Sequence, residues 1–299
     1  PGFKCKFLPV KISDANGALT KGFEGIIYAA DHGCTIINCS WGSSSFGQLG
    51  QDAVNYAAIN KNAVVFGGAG NNNDPVHFYP AAYENAIAVG STDFIDRKSS
   101  FSNYGYYVDF CAPGTNIYTT VYDNQYTSSS GTSMASPVAA GAGAIIKSKF
   151  PSYTGIQVGE KLRVTADNIN TVSGNFGYAG QLGSGRINLY RALTETSPSV
   201  RMKSLSVTDG NDEVFVVNDV LSIKANFINY LDPTSNLTIT LSSASADVTV
   251  LSNSFSAGAV ATMSTVNNNS SPFTVKINPS APPNTAVPFT FTFTDGNYN

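Results

Sequence analysis

Residues 131–137 read Gly-Thr-Ser-Met-Ala-Ser-Pro and open the run GTSMASPVAAGAGAIIKSKFP. Small residues and then apolar residues at helical spacing follow the first Ser, so residues 136–150 are predicted to form a long helix. Ser133 then sits at or near a helix N-terminus. Backbone N–H groups there lack intrahelical acceptors, and the helix dipole favours negative charge. An attacking oxygen needs that environment while charge develops beside it. The plainer reading is a Ser/Thr cap on a buried Ala/Gly-rich helix, and the rest of the chain weighs against it.

Outward from that helix, strands and helices alternate up to about residue 195. Residues 7–12, 34–39, 63–66, 86–89 and 107–110 read as strands. Residues 48–60 read as a helix, and 23–32 as another with Phe23, Ile26, Ile27 and Ala30 on one face. Continuous apolar strands separated by helices predict an α/β fold, a mostly parallel sheet with helices on both faces. After residue 196 helical periodicity disappears. Short Val/Ile/Phe/Thr runs at 214–217, 221–227, 237–241, 248–251, 273–277 and 289–293 are divided by Asn, Asp, Ser, Gly and Pro. Roughly seven strands in about 100 residues predict an all-β sandwich of immunoglobulin or fibronectin type. The domains are expected at 1–195 and 196–299, joined by ETSPSV at 195–200.

The 299 residues, 42% of them hydrophobic and 12% charged, suit a globular chain with a real core. A net charge of −3 with no basic block excludes nucleic acid as an expected partner. No apolar run reaches the length of a membrane span. Low charge with abundant Asn, Ser, Thr, Gly and Tyr fits a secreted protein. Cys5, Cys34, Cys39 and Cys111 lie in apolar contexts at spacings that fit no zinc motif. They read as buried free thiols, with a disulfide from Cys5 or Cys111 to one of the others as the alternative. The chain opens with PGFKCKFLPVKI, which already reads as a core strand, so a preceding segment is expected.

The GTSMASP run resembles the nucleophile motif of the subtilisin-like serine proteases, the subtilases. The resemblance extends in order through residues 7–12, IINCSWG at 36–42, VVFGGAGN at 64–71, Tyr79-Pro80, AIAVGS at 86–91, Phe101-Ser102, CAPG at 111–114 and SGRIN at 184–188. It implies an N-terminally truncated subtilisin-like domain and a secreted serine endopeptidase acting on protein or peptide substrates. Ser133 is then the nucleophile, and Asn71 is the oxyanion-hole amide, whose plainer reading is a turn residue after glycines. Ser40, Trp41 and Gly42 would form one wall of the substrate cleft. Gly68, Ala69 and Gly70 would form the other, where missing side chains let a substrate approach. Trp41 reads equally as a core aromatic. Tyr79–Pro80 falls where the family often has a cis bond. Val138 stands where the family has a non-catalytic His.

A serine hydrolase needs a base for the Ser proton. The family's Asp-Ser/Thr-Gly and His-Gly-Thr-His motifs are absent, and the only histidines are His32 and His77, both read as structural or solvated. The chain alone is therefore expected to be inactive, with the N-terminal segment of the same protease as its missing partner. The alternative is a non-catalytic pseudoprotease or binding module. No cofactor is required. Asp109 matches a position near a weak cation site of the family, which admits a structural Ca²⁺.

Overall fold

The computed structural model describes residues 4–298. The chain divides into two compact units, with the boundary between Glu195 and Thr196.

The first unit is built on four parallel strands: β1 (Ile36–Cys39), β2 (Val64–Gly68), β3 (Ala86–Thr92) and β4 (Phe110–Pro113), side by side in that order. Ile36 pairs with Val64, Val65 with Ala86, and Val89 with Phe110. Every residue of β2 is buried, as a strand covered on both faces must be. Helix α1 (Gly22–Asp31) and helix α2 (Gln48–Asn55), which continues as a π-turn through Tyr56–Asn60, cover one face. There Ile26, Ala29, Ala30, Val54 and Ala57 pack against Ile37, Cys39 and Val65. Helix α3 (Thr132–Lys149) and helix α4 (Gly155–Val164) cover the other. Ala135, Ala139, Ala142, Ile146, Val158 and Leu162 meet Phe66, Val89 and Phe110. The alanines of α3 are short enough to bring its axis close to the sheet. A ribbon, β5 (Ile117–Thr120) and β6 (Tyr126–Ser129), leads into α3, and α5 (Leu189–Thr194) ends the unit.

Three expectations change. Residues 7–12 are not a strand, although their pattern is apolar: a strand needs a neighbouring strand, and none pairs with them among the described residues, where the Ile12 carbonyl accepts instead from the Thr20 and Lys21 N–H groups at 3.1 and 3.0 Å. Phe7 is 87% exposed. Instead, this segment and the open edge of β1 border a cavity of about 1350 Å³ lined by Phe7, Val10, Ile12, Ile36, Ile37 and Ala140. Residues 1–3, which open the PGFKCKFLPVKI run, lie outside the described residues. The strand expected at 107–110 begins only at Phe110, because 105–107 turn ahead of it. The long helix starts at Thr132, four residues earlier than expected, so Ser133 lies within it.

The second unit holds two antiparallel sheets. In one, β8 (Val220–Asn229) pairs along one edge with β7 (Val200–Thr208) and along the other with β12 (Ser264–Asn267) and β13 (Phe273–Ile277), and β10 (Val248–Ser252) adds outside β13. In the other, β9 (Leu237–Ser242) lies between β11 (Ser254–Gly258) and β14 (Thr290–Thr294). Ile223, Ala225, Phe227, Phe273 and Val275 of the first sheet share a core with Leu237, Ile239, Leu241 and Phe255 of the second. Residues 214–217 are an exposed loop rather than a strand, held by the Val216 N–H donating to Asp219 Oδ2 at 2.7 Å.

Phe66 is fully buried, with its ring 6.3 Å from that of Phe110. Phe66→Ala is expected to destabilise the first unit by about 3–5 kcal/mol. Trp41, the chain's single tryptophan, reports that unit in a urea titration followed by fluorescence.

Candidate active site

The site forms where the C-terminal end of β2 meets the N-terminal end of α3. After β2 the chain runs through Ala69 and Gly70 to Asn71, with Gly70 at φ +107°, a left-handed conformation that favours glycine. Gly68 lies so close to α3 that an added Cβ would sit 3.0 Å from both Thr132 O and Thr132 Oγ1. This close approach lets the two segments clasp. Asn71 Oδ1 accepts from Thr132 N–H at 2.8 Å and from Thr132 Oγ1–H at 3.0 Å, and Gly70 N–H donates to Thr132 Oγ1 at 3.2 Å. With its oxygen so engaged, Asn71 turns the Nδ2 amide the other way. A Cβ added to Gly131 would lie 2.8 Å from Ser133 Oγ and 3.6 Å from Asn71 Nδ2, so the hydroxyl and the amide border one small space that only glycine leaves open.

Ser133 is the second residue of α3, within the first turn whose N–H groups have no intrahelical acceptor. Its carbonyl is also released from the helix. The i+4 position is Pro137, which has no N–H to donate. Ser40 Oγ donates to Ser133 O instead, at 2.9 Å. Ser40 in turn accepts from Asn38 Nδ2 at 3.0 Å, and Asn38 Oδ1 accepts from the buried Ser136 Oγ at 2.8 Å. The exit of β1 is thereby tied across the first turn of α3.

The structure thus brings Ser133, Asn71 and Ser40 together, with Gly68, Ala69 and Gly70 beneath them. Those three are buried: Gly68 faces Thr132, Ala69 is enclosed with Val108 and Cys111, and Gly70 lies under Asn103. Trp41 is half-buried, its ring edge-on to Phe23 at 5.7 Å and against Gly22, the contacts of a packed aromatic. Just beyond Gly42, the Ser43 and Tyr79 backbones exchange hydrogen bonds of 2.9 and 2.8 Å. The Tyr79–Pro80 bond is cis.

Neither histidine approaches Ser133 within hydrogen-bonding distance. His32 bonds Tyr28 O through Nδ1 at 2.8 Å and stacks on the Tyr28 ring, while His77 lies edge-on to Tyr107 at 4.8 Å. Asp109 Oδ2 accepts from Ala88 N–H at 2.8 Å, and among the described residues no group of three or more His, Cys, Asp or Glu is placed to hold a metal ion. All four cysteines are free thiols. Cys39 and Cys111 are buried as expected, whereas Cys34 is half-buried and Cys5 exposed, because the segment around Cys5 has no sheet to cover it. Burial pushes the Cys39 and Cys111 thiols up to about 12.

The sequence did not reveal the ties among Thr132, Ser136, Asn38 and Ser40. Thr132 and Ser136 do stand within the GTSMASP run, which was the available signal.

Residues 3–179 match the model of the subtilase family, Peptidase S8. The chain is 44% identical over 191 residues to a thermophilic serine proteinase of Bacillus sp. (strain AK1), covering 63% of this chain and 45% of that protein. It is 42% identical over 192 residues to thermitase of Thermoactinomyces vulgaris, covering 64% and 66%. The chain thus spans less than two thirds of the length of either relative. Among solved structures, the patellamide maturation protease PatA superposes with a TM-score of 0.55 at 26% identity, covering 60% of this chain and 70% of that one.

Two outcomes test this geometry. Thr132→Val keeps the shape but strips the acceptor from the buried Gly70 N–H, and is expected to cost about 1–3 kcal/mol in urea unfolding. Because a thiol held near 12 is almost wholly protonated at about pH 8, iodoacetamide is expected to leave Cys39 and Cys111 unmodified in the native chain. Peptide mass mapping should show both alkylated only after unfolding.

Proposed function

Because the chain belongs to the subtilase family, we propose that it is the nucleophile-bearing part of a secreted serine endopeptidase. Ser133 attacks, and the Asn71 Nδ2 amide with the Ser133 N–H stabilises the oxyanion. The observation that carries this reading is the clasp on Thr132, which occupies Asn71 Oδ1 and leaves Nδ2 facing the space beside Ser133 Oγ.

In the reaction, Ser133 Oγ bonds to the scissile carbonyl carbon while the carbonyl electrons move to its oxygen. A base takes the Oγ proton and returns it to the leaving amine as the C–N bond breaks. Donors already aimed at the forming oxyanion need no reorganisation at that moment. The substrate peptide lies extended along the β1 exit at Ser40–Gly42 and adds main-chain hydrogen bonds there. Buried Gly68, Ala69 and Gly70 shape the cleft from beneath.

His32 and His77 are both committed elsewhere, so the base comes from polypeptide beyond this chain, the N-terminal segment of the same protease. The open edge of β1 and the cavity beside it support a seat for that segment. The chain by itself is then inactive. The sandwich is an accessory domain that carries no catalytic group. A structural Ca²⁺ at Asp109 would draw most of its about six to eight oxygen ligands from backbone carbonyls and water, because among the described residues no group of three or more His, Cys, Asp or Glu is placed to hold a metal ion.

The test is hydrolysis of a fluorogenic peptide by this chain and by the protein extended through its upstream gene segment. The extended protein is expected to cleave, Ser133→Ala to abolish cleavage, and the chain alone to show none. Asn71→Ala is expected to lower kcat by about 10²–10³, a magnitude taken from removal of an oxyanion donor in a subtilisin. An extended protein that folds but never cleaves would favour the binding-module reading.

A further inference from the structure

The turn that carries Asn71 is exposed at residues 71–73. It is held from beneath by residues 98–104. Asn103 N–H donates to Gly70 O at 2.9 Å, and Asn103 Oδ1 accepts from Asn72 N–H at 2.8 Å. Asn73 N–H donates to Phe101 O at 2.9 Å, and Tyr104 N–H to Asp74 O at 3.2 Å.

One tie in this set is made by a charged group. Lys98 is 8% exposed, and its Nζ donates to Asn73 Oδ1 at 2.7 Å, Ser102 O at 2.9 Å and Ser99 O at 3.1 Å. These three neutral oxygens match the three donors of an ammonium group. The rings of Tyr178 and Tyr104 approach the same nitrogen, with centroids 4.6 and 5.4 Å away. Burial lowers the Lys98 pKa, the direction expected for a desolvated cation. Placing a cation under a turn is costly unless its donors are satisfied, and here they are. Asn73 stands two residues from Asn71 in a left-handed conformation, φ +54°, that pins the direction of the turn. Its side chain reaches down to the ammonium.

We propose that Lys98 is a positioning residue for the oxyanion donor: through Asn73 it fixes the turn that aims Asn71 Nδ2 at the space beside Ser133 Oγ. This role rests on the endopeptidase reading above. Lys98 does not touch the substrate. Its effect should therefore fall on turnover rather than on binding, and should vanish once the amide it aims has been removed.

The experiment is a double-mutant cycle in the peptide-cleaving extended protein, with Lys98→Met, Asn71→Ala, the pair, and Lys98→Arg. Lys98→Met is expected to lower kcat about tenfold or more with KM changed less than about twofold. In the Asn71→Ala background it should lower kcat by less than about twofold, because two residues acting on one interaction are not additive. Lys98→Arg keeps the charge but puts a wider, planar guanidinium where a compact ammonium meets three oxygens, so it should recover kcat only in part, to a value between those of Lys98→Met and the parent. An unchanged kcat, or an equal loss in both backgrounds, overturns the proposal. If Lys98→Met does not fold, Asn73→Gly removes the acceptor while keeping the left-handed backbone. The same kcat-only loss is expected of it, and unaltered kinetics overturn the proposal.

If the extended protein cleaves no peptide, the endopeptidase reading fails, and Lys98 is judged on the 299-residue chain by NMR. Lys98→Met should then shift the Asn71 side-chain amide resonances and leave those of Asn38 in place. Unmoved Asn71 resonances would overturn the positioning role.

Discussion

Everything at this site depends on the contact between Asn71 and Thr132, two residues 61 positions apart in the chain. One amide oxygen accepts from both the backbone and the side chain of Thr132. That contact fixes the end of β2 against the start of α3 and sets the direction of the remaining amide donor. It is possible only because Gly68 and Gly131 leave room for it: a side chain at the first would press on Thr132, and one at the second would press on Ser133 Oγ. The parallel sheet serves this contact, since its buried strands hold the β2 exit rigidly under the helix that carries the nucleophile.

The first turn of α3 shows how one substitution type can redirect a hydrogen bond. Proline inside a helix usually costs stability, because it removes a donor and crowds the preceding turn. Pro137 removes the N–H that would have taken the Ser133 carbonyl, and Ser40 Oγ takes that carbonyl instead. The loss within the helix becomes a tie between the helix and the exit of β1, where the peptide substrate is proposed to lie. Asn38 and Ser136 extend the tie into the buried layer between sheet and helix.

Much of this was legible in the sequence, for identifiable reasons. The apolar runs of β1 to β3 and the small-residue face of α3 are periodic signals, and they resolve into the sheet and its helix. The Gly-Thr-Ser run placed Ser133 at a helix start because the glycine, the hydroxyl and the following alanines each restrict the backbone. Residues 7–12 have the pattern of a strand, but pairing is a property of two segments, and no strand pairs with them among the described residues. Residues 214–217 are as apolar as a strand, yet Asp219 captures the Val216 N–H and holds them in a loop. The capping box of α4, Thr154 with Gln157, stands in the sequence as Thr-x-x-Gln. Lys98 left no local signal, because its partner Asn73 lies 25 residues away.

The most direct measurement is the mass of the Ser133 peptide after exposure of the extended protein to a fluorophosphonate. Such a probe reports an activated serine and the oxyanion donors together, without requiring knowledge of the substrate. An adduct on Ser133, strongly reduced in Asn71→Ala, is the expected result. An unmodified Ser133 peptide from a folded extended protein would contradict the assignment of this site as the nucleophile and oxyanion hole of a protease.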